Sequence, residues 1–287
     1  MNNQTKNILV PFDFSEEAMF GLNMARQWSE MVGAKVNMVH FVLPDDVVKD
    51  QHPKYAIMDI TDPQRQKQIE HVAAQKLIEL KKMLDEHIGL GAQGEVIVLQ
   101  SGLSDAFEQF MQQTEIDLII SGTSSSRNIA EFFTGNNSEQ MLRDADIPVL
   151  VVSSDQALAF DNILLATDLS QAVPSRLFDF AKYFQSKGAE LHVMNAMTTE
   201  LMEEKDVATK MDELVRHAGI EKYSPHLIAA DDELEGVLKS VSEVDPDLIL
   251  MKTHERSDLE NVIFGSLTEK VIRQTAKPVL VQPMPAS

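Results

Sequence analysis

Asn7-Ile-Leu-Val-Pro-Phe-Asp13-Phe-Ser15 returns 155 residues later as Asn162-Ile-Leu-Leu-Ala-Thr-Asp168-Leu-Ser170. The same offset relates Gly33-Ala-Lys-Val36 to Gly188-Ala-Glu-Leu191. Further on the offset falls to 130, and Glu139-Gln-Met-Leu-Arg143 with Pro148-Val-Leu-Val151 matches Glu269-Lys-Val-Ile-Arg273 with Pro278-Val-Leu-Val281. The chain therefore carries one unit twice, and the first copy holds 25 extra residues, placed at about 43–67 in a charged, proline-bearing stretch. A unit this long is the size of a domain and far beyond a solenoid repeat. Two domains are expected, 1–153 and 161–287, joined by a short linker ending near Phe160.

Within each repeat, short apolar runs alternate with longer segments of helical period. Ile8–Val10, Val36–Val42, Val96–Leu99, Leu118–Ile120 and Val149–Val152 have counterparts at Ile163–Leu165, Leu191–Met194, His226–Ala229, Leu248–Met251 and Val279–Val281. Nearly continuous apolar strands suit a parallel sheet covered on both faces. Ala18, Leu22 and Ala25, and likewise Leu177, Ala181 and Phe184, fall at i, i+4, i+7, the spacing of one helix face. Five strands and four helices in alternation imply an α/β fold: two open, doubly wound five-stranded parallel sheets with helices on both faces. Ligands on such sheets lie at the carboxyl ends of the strands, where the winding direction reverses.

Composition narrows the function classes. The 287 residues are 44% hydrophobic and 24% charged, ordinary for a globular chain. There is no cysteine, which excludes disulfides, thiolate catalysis and zinc ribbons and fits a reducing compartment. No apolar run approaches the roughly 20 residues of a membrane-spanning helix, and the polar start MNNQTKN has no apolar signal core. A cytoplasmic protein is expected. The formal charge of −20 repels phosphate backbones and anionic lipid, so neither nucleic acid nor membrane is an expected partner.

Gly89-Leu-Gly91-Ala-Gln-Gly94 has the spacing of a dinucleotide fingerprint but the wrong setting. It follows the apolar helical stripe Ala73, Leu77, Leu80, Leu84 and precedes a strand, so no helix N-terminus faces a pyrophosphate. A helix cap and loop is the reading. Asp13 and Asp168 end the first strand of each repeat with no second Asp two residues on, which removes the nucleophile pair of one phosphatase type. Each Asp can bind a base amino group or ribose hydroxyl, or it can shape the turn while Ser15 or Ser170 caps the next helix. His254 beside Glu255 supplies too few ligands for a metal site.

After the fourth strand the first repeat has Gly122, two residues, Ser125, nine residues, then Gly135-Asn136-Asn137-Ser138. The second has Lys252, two residues, Glu255, nine residues, then Gly265-Ser266. With the first-strand Asp and the terminal Pro-Val-Leu-Val strand, this pattern resembles the universal stress protein family, whose signature is Gly, two residues, Gly, nine residues, Gly-Ser or Gly-Thr. The resemblance covers nearly all of both repeats, so the chain resembles a tandem universal stress protein. It implies Rossmann-like or flavodoxin-like units of strand order 3-2-1-4-5, paired through their last strands, and leaves further homodimerisation open.

The resemblance also implies an adenine-nucleotide site, ATP or AMP, with Mg only if ATP is bound. Carried over by position, the first repeat keeps Pro11, Asp13, Gly122 and Gly135. Small donors, Ser125 and Asn136, replace a Gly and a Ser or Thr, with Phe41 beside the base and Asn137 and Ser138 beside the phosphates. The second repeat keeps Asp168, Ala196, Gly265 and Ser266 but has Lys252 and Glu255 where glycines belong. Nucleotide binding is therefore expected in the first repeat. In the second, a Lys252–Asp168 ion pair, with Glu255 as a second acceptor for the ammonium, is expected to fill a degenerate site, and Lys252 and Glu255 are expected to close it to ATP. The implied function is stress-response ligand sensing or signalling without turnover, since a slow ATPase would lack a visible base and metal cage. A nucleotide-independent scaffold or interaction protein is the alternative.

Overall fold

The computed structural model describes residues 5–42, 63–100, 104–122, 147–155, 159–169, 173, 175–198, 203–253 and 266–283. In chain order the first repeat gives β1 (Asn7–Pro11), α1 (Glu16–Val32), β2 (Lys35–Val42), α2 (Pro63–His87), β3 (Gln93–Gln100), α3 (Ser104–Thr114), β4 (Leu118–Gly122) and β5 (Val149–Val152). The second gives β6 (Asn162–Ala166), α4 (Ser175–Ser186), β7 (Glu190–Met197), α5 (Glu204–His217), β8 (Ser224–Ala229), α6 (Glu233–Val244), β9 (Leu248–Thr253), α7 (Ser266–Gln274) and β10 (Val279–Pro283). The extra length of the first repeat shows partly in α2, which has 25 residues where α5 has 14; the rest of that stretch, 43–62, lies outside the described residues. The Gly89–Gly94 segment is a short 3-10 turn between α2 and β3, the setting that excludes a dinucleotide fingerprint.

All ten strands join one sheet in the order β3-β2-β1-β4-β5-β10-β9-β6-β7-β8. Every pairing is parallel except the central one, where β5 and β10 run antiparallel with Leu150 opposite Leu280. Side chains alternate between two cores. Ile8, Val10, Ile120, Leu150, Leu280 and Leu165 face the side covered by α1, α2, α4 and α5. Leu9, Ile119, Val149, Val151, Val281 and Leu164 face the side covered by α3, α6 and α7. Both cores run unbroken across the seam.

One aromatic cluster locks the repeats together on the first face. Trp28 of α1 meets the edges of Phe160, Phe180 and Phe184 at centroid distances of 5.7, 5.9 and 5.7 Å. Its ring is 1% exposed and its indole N–H makes no hydrogen bond, so its contribution is packing alone. Tyr183, its counterpart at the 155-residue offset, donates from its hydroxyl to the Met31 carbonyl at 3.4 Å, reaching back into the first repeat.

Repeated polar devices fix the strand ends. Asp117 at the start of β4 accepts from the backbone N–H groups of Lys6 and Asn7 at 2.8 and 3.1 Å. Asp247 at the start of β9 accepts from those of Asp161 and Asn162 at 2.8 and 2.9 Å. A carboxylate thus pins the entry of the first strand of each repeat to its neighbour, through charge-assisted bonds roughly twice as strong as neutral ones. Gly122 has a different task. A methyl group there would run into the Glu17 carbonyl oxygen, so the missing side chain lets the first turn of α1 press on the end of β4.

The outer strand β8 holds to β7 through a histidine pair, His192 Nδ1 and His226 Nε2 lying 3.0 Å apart, one donating to the other. Burial, then the neighbouring His226, hold His192 below the ordinary imidazole range, while Glu190 acts in the opposite direction. The unfolded chain therefore takes up a proton near pH 6.5 that the folded chain refuses until lower pH. The stability linked to His192 is complete above about pH 6.5 and is lost as the pH falls from there toward the folded value. Urea midpoints between pH 8 and 5 are expected to drop on the acid side, and the drop is expected to be shallower in His192→Gln; an identical slope in that variant contradicts the assignment. Trp28→Ala is expected to cost about 3–5 kcal/mol, read by circular dichroism in urea, whereas a loss under about 1 kcal/mol would show that the aromatic cluster does not hold the repeats together.

Candidate functional site

The carboxyl ends of β1, β2 and β4 are where the first repeat would hold a ligand. Pro11 is buried at the end of β1, and the chain then turns through Phe14 in the left-handed region (φ 64°). Asp13 Oδ1 accepts from the Ser15 backbone N–H at 2.9 Å and also from the Ser15 hydroxyl. Ser15 in turn caps α1, accepting from the Ala18 N–H at 3.1 Å. Asp13 thus serves the turn and the helix cap.

Aromatic rings crowd around this turn. Phe14 stands edge-on to Phe12 at 5.3 Å and to His40 at 5.0 Å, and the Lys76 ammonium lies 4.0 Å from the centre of the Phe14 ring. Phe41, near the end of β2, packs edge-on against Phe107 of α3 at 5.4 Å. Ser125, Gly135, Asn136, Asn137 and Ser138 lie outside the described residues.

In the second repeat the corresponding turn repeats the left-handed residue, Leu169 (φ 57°), but the carboxylate has a different partner. Asp168 Oδ1 lies 2.9 Å from Lys252 Nζ, with the lysine side chain only 4% exposed and the aspartate 29%. Lys252 occupies the position where Gly122 of the first repeat admits the Glu17 carbonyl. The ion pair expected from the sequence is formed, while Glu255, the other residue expected to close the site, lies outside the described residues. Asp168 and Lys252 lie in the wall of a cleft of about 240 Å³ at the carboxyl ends of β6, β7 and β9.

Two small residues account for that space. Ala196 of β7 stands where the first repeat has Phe41, and Gly236 of α6 lies against it so closely that a methyl group on Gly236 would collide with the Ala196 side chain. Where the first repeat packs Phe41 edge-on against Phe107, the second has Ala196 and Val237, both in the cleft wall. Asn195 adds a polar edge. Its amide nitrogen donates to the Thr167 carbonyl at 2.9 Å, which fixes its orientation and leaves its carbonyl oxygen as an acceptor. Glu233, in the first turn of α6, contributes a second carboxylate, and Met194, Met197 and Met251 contribute apolar wall.

Of the positions singled out in the second repeat, Asp168, Ala196 and Lys252 converge on this cleft. Ser266 opens α7, whose next residue, Leu267, lines it. Glu255, Gly265 and His254 lie outside the described residues. Sequence reading missed Asn195, Glu233 and the three methionines; the small pair Ala196 and Gly236 was visible in the repeat alignment, opposite Phe41 and Ala106. Among the described residues no three His, Asp or Glu side chains are placed to hold a metal ion, and no helix is long and apolar enough to cross a membrane.

Comparison with known proteins fits this architecture. Over its full length the chain resembles the crystal structure of a universal stress protein from Archaeoglobus fulgidus DSM 4304, with a TM-score of 0.70, 21% identity, and coverage of 98% of this chain and 97% of the other. A universal stress protein from Pseudomonas aeruginosa UCBPP-PA14 overlaps with a TM-score of 0.58 at 16% identity, covering 97% and 93%. In sequence, a universal stress protein of Staphylococcus aureus (strain USA300) is 26% identical over 151 residues, covering 53% of this chain and 86% of the relative. The sequence profile of the universal stress protein family matches residues 4–153 and again 159–283. With both repeats matched, and with the fold that such repeats require, the chain belongs to the universal stress protein family as a tandem member.

Proposed function

We propose that this universal stress protein is a ligand-binding sensor in the stress response, without turnover chemistry, and that its small-molecule site is the cleft of the second repeat. The observation that carries this reading is the cleft itself. It lies at the switch point of an α/β sheet, where ligands of this architecture bind. It joins an apolar wall to a few convergent polar groups, Asn195, Asp168, Lys252 and Glu233, which is the make-up of small-molecule sites in general. At about 240 Å³ it falls just under the usual range of roughly 300–1,000 Å³ for drug-sized ligands. Adenine nucleosides and nucleotides are the ligand class to which the family pattern points first.

One feature of the cleft fits a binding role: Lys252 is tied to Asp168 in an ion pair. Nucleotide binding in the first repeat is the second reading, supported by the retained Pro11, Asp13, Gly122 and Gly135. Against it, Asp13 is engaged with Ser15, the residue that caps α1, and Phe41 packs edge-on against Phe107.

The two sites separate in one titration. Ala196→Phe gives the second repeat the residue of the first, and Thr198→Trp places a large ring at the exposed rim of the cleft, where folding is least disturbed. Calorimetry with adenosine, AMP and ATP at up to millimolar concentration is expected to show binding that both variants weaken about tenfold or more, with circular dichroism unchanged in Thr198→Trp. Binding that both variants leave intact, and that Asp13→Ala removes, would move the site to the first repeat. No binding of any of the three ligands would leave the nucleotide-independent scaffold.

A further inference from the structure

We infer that the second-repeat cleft selects an aminated aromatic ring without phosphates, a nucleoside or free heterocycle in preference to a nucleotide. This rests on the cleft being the ligand site. Three features of the wall lead to it, and none belongs to the phosphate-binding pattern of glycines.

The first is the apolar surface. Met194, Met197 and Met251, three of the chain's 15 methionines, line a single cleft of about 240 Å³. Thioether side chains adapt to flat ligands, and sulfur–aromatic contacts are favourable by about 0.3–1.5 kcal/mol each. Because Ala196 and Gly236 leave out the bulk that Phe41 brings in the first repeat, a ring can take the place of a protein side chain.

The second is the polarity of the hydrogen-bonding groups. The Asn195 amide nitrogen gives one of its two N–H groups to the Thr167 carbonyl, which sets the orientation of the amide and leaves its carbonyl oxygen as an acceptor. Glu233 and Asp168 are acceptors as carboxylates. A cleft edged by acceptors calls for a ligand bearing N–H donors, such as an exocyclic amino group.

The third is charge. Among the described residues lining the cleft, Lys252 is the only cation, and it is buried against Asp168 at 2.9 Å. Glu233 then leaves the described part of the lining with a net negative charge, in a chain whose formal charge is −20. A phosphate would meet repulsion within about one Debye length, roughly 8 Å at physiological salt. An uncharged ring meets none.

The test is a calorimetric series with adenosine, AMP and ATP on the full-length protein at fixed ionic strength, repeated on Glu233→Gln and Thr198→Trp. Adenosine is expected to bind about tenfold or more tighter than AMP, and AMP tighter than ATP. Glu233→Gln should narrow the gap between adenosine and AMP several-fold, and Thr198→Trp should weaken all three together. AMP or ATP binding as tightly as adenosine, still sensitive to Thr198→Trp, overturns the selectivity while leaving the cleft as the site. A gap that Glu233→Gln does not narrow likewise overturns the charge argument on which the selectivity stands. Binding indifferent to Thr198→Trp, or absent for all three ligands, removes the site itself.

Discussion

The antiparallel pairing of β5 with β10 is the contact on which the rest of the molecule depends. Each repeat alone would end its sheet in a short apolar strand with a row of unpaired N–H and C=O groups, a template for aggregation. Joining the two edges satisfies those groups and converts two five-stranded sheets into one of ten. It also places Leu150 and Leu280 in one core, and Val149, Val151, Val279 and Val281 in the other, so that neither face has a gap between the repeats. The Trp28 cluster seals one face over that seam, and the Asp117 and Asp247 latches set the first strand of each repeat beside its neighbour.

Much of this was legible in the chain because it was written twice. The strands, the helix faces and the turn after Asp13 or Asp168 follow from apolar periodicity and from the recurrence of whole phrases. The left-handed residue of that turn recurs too, as Phe14 and Leu169, although nothing in either side chain announces it. The latches were not foreseen. Asp117 and Asp247 recur at the 130-residue offset, but an aspartate before a strand has many ordinary uses, and only the fold shows that its carboxylate reaches backbone N–H groups about a hundred residues away.

The site was legible only in part, for a reason that lies in the partners. The Lys252–Asp168 pair could be inferred because adjacent strand ends bring the two side chains within reach. Whether a cleft survives beside a pair depends on volume, and volume depends on the helix packed above. Gly236 brings α6 down onto Ala196, yet the two small residues together still leave space that Phe41 and Phe107 occupy in the first repeat. A glycine missing from a motif drew attention to Lys252, while the residues that shape the cavity lay outside the motif. Equivalent positions have thus taken up different work: Asp13 braces the serine that caps a helix and Asp168 holds a lysine; Gly122 admits a carbonyl and Lys252 fills a wall.

The reversal at the central seam has a further consequence, for the direction in which the molecule faces. Strands β1 to β5 and β6 to β10 each run parallel among themselves, while the two sets run opposite to one another. Their carboxyl ends therefore emerge on opposite margins of the sheet, and the two mouths open away from each other. A single surface laid against one margin can read one repeat and never both. Each mouth is built from the strand ends of its own repeat, so a substitution in the wall of one leaves the wall of the other untouched.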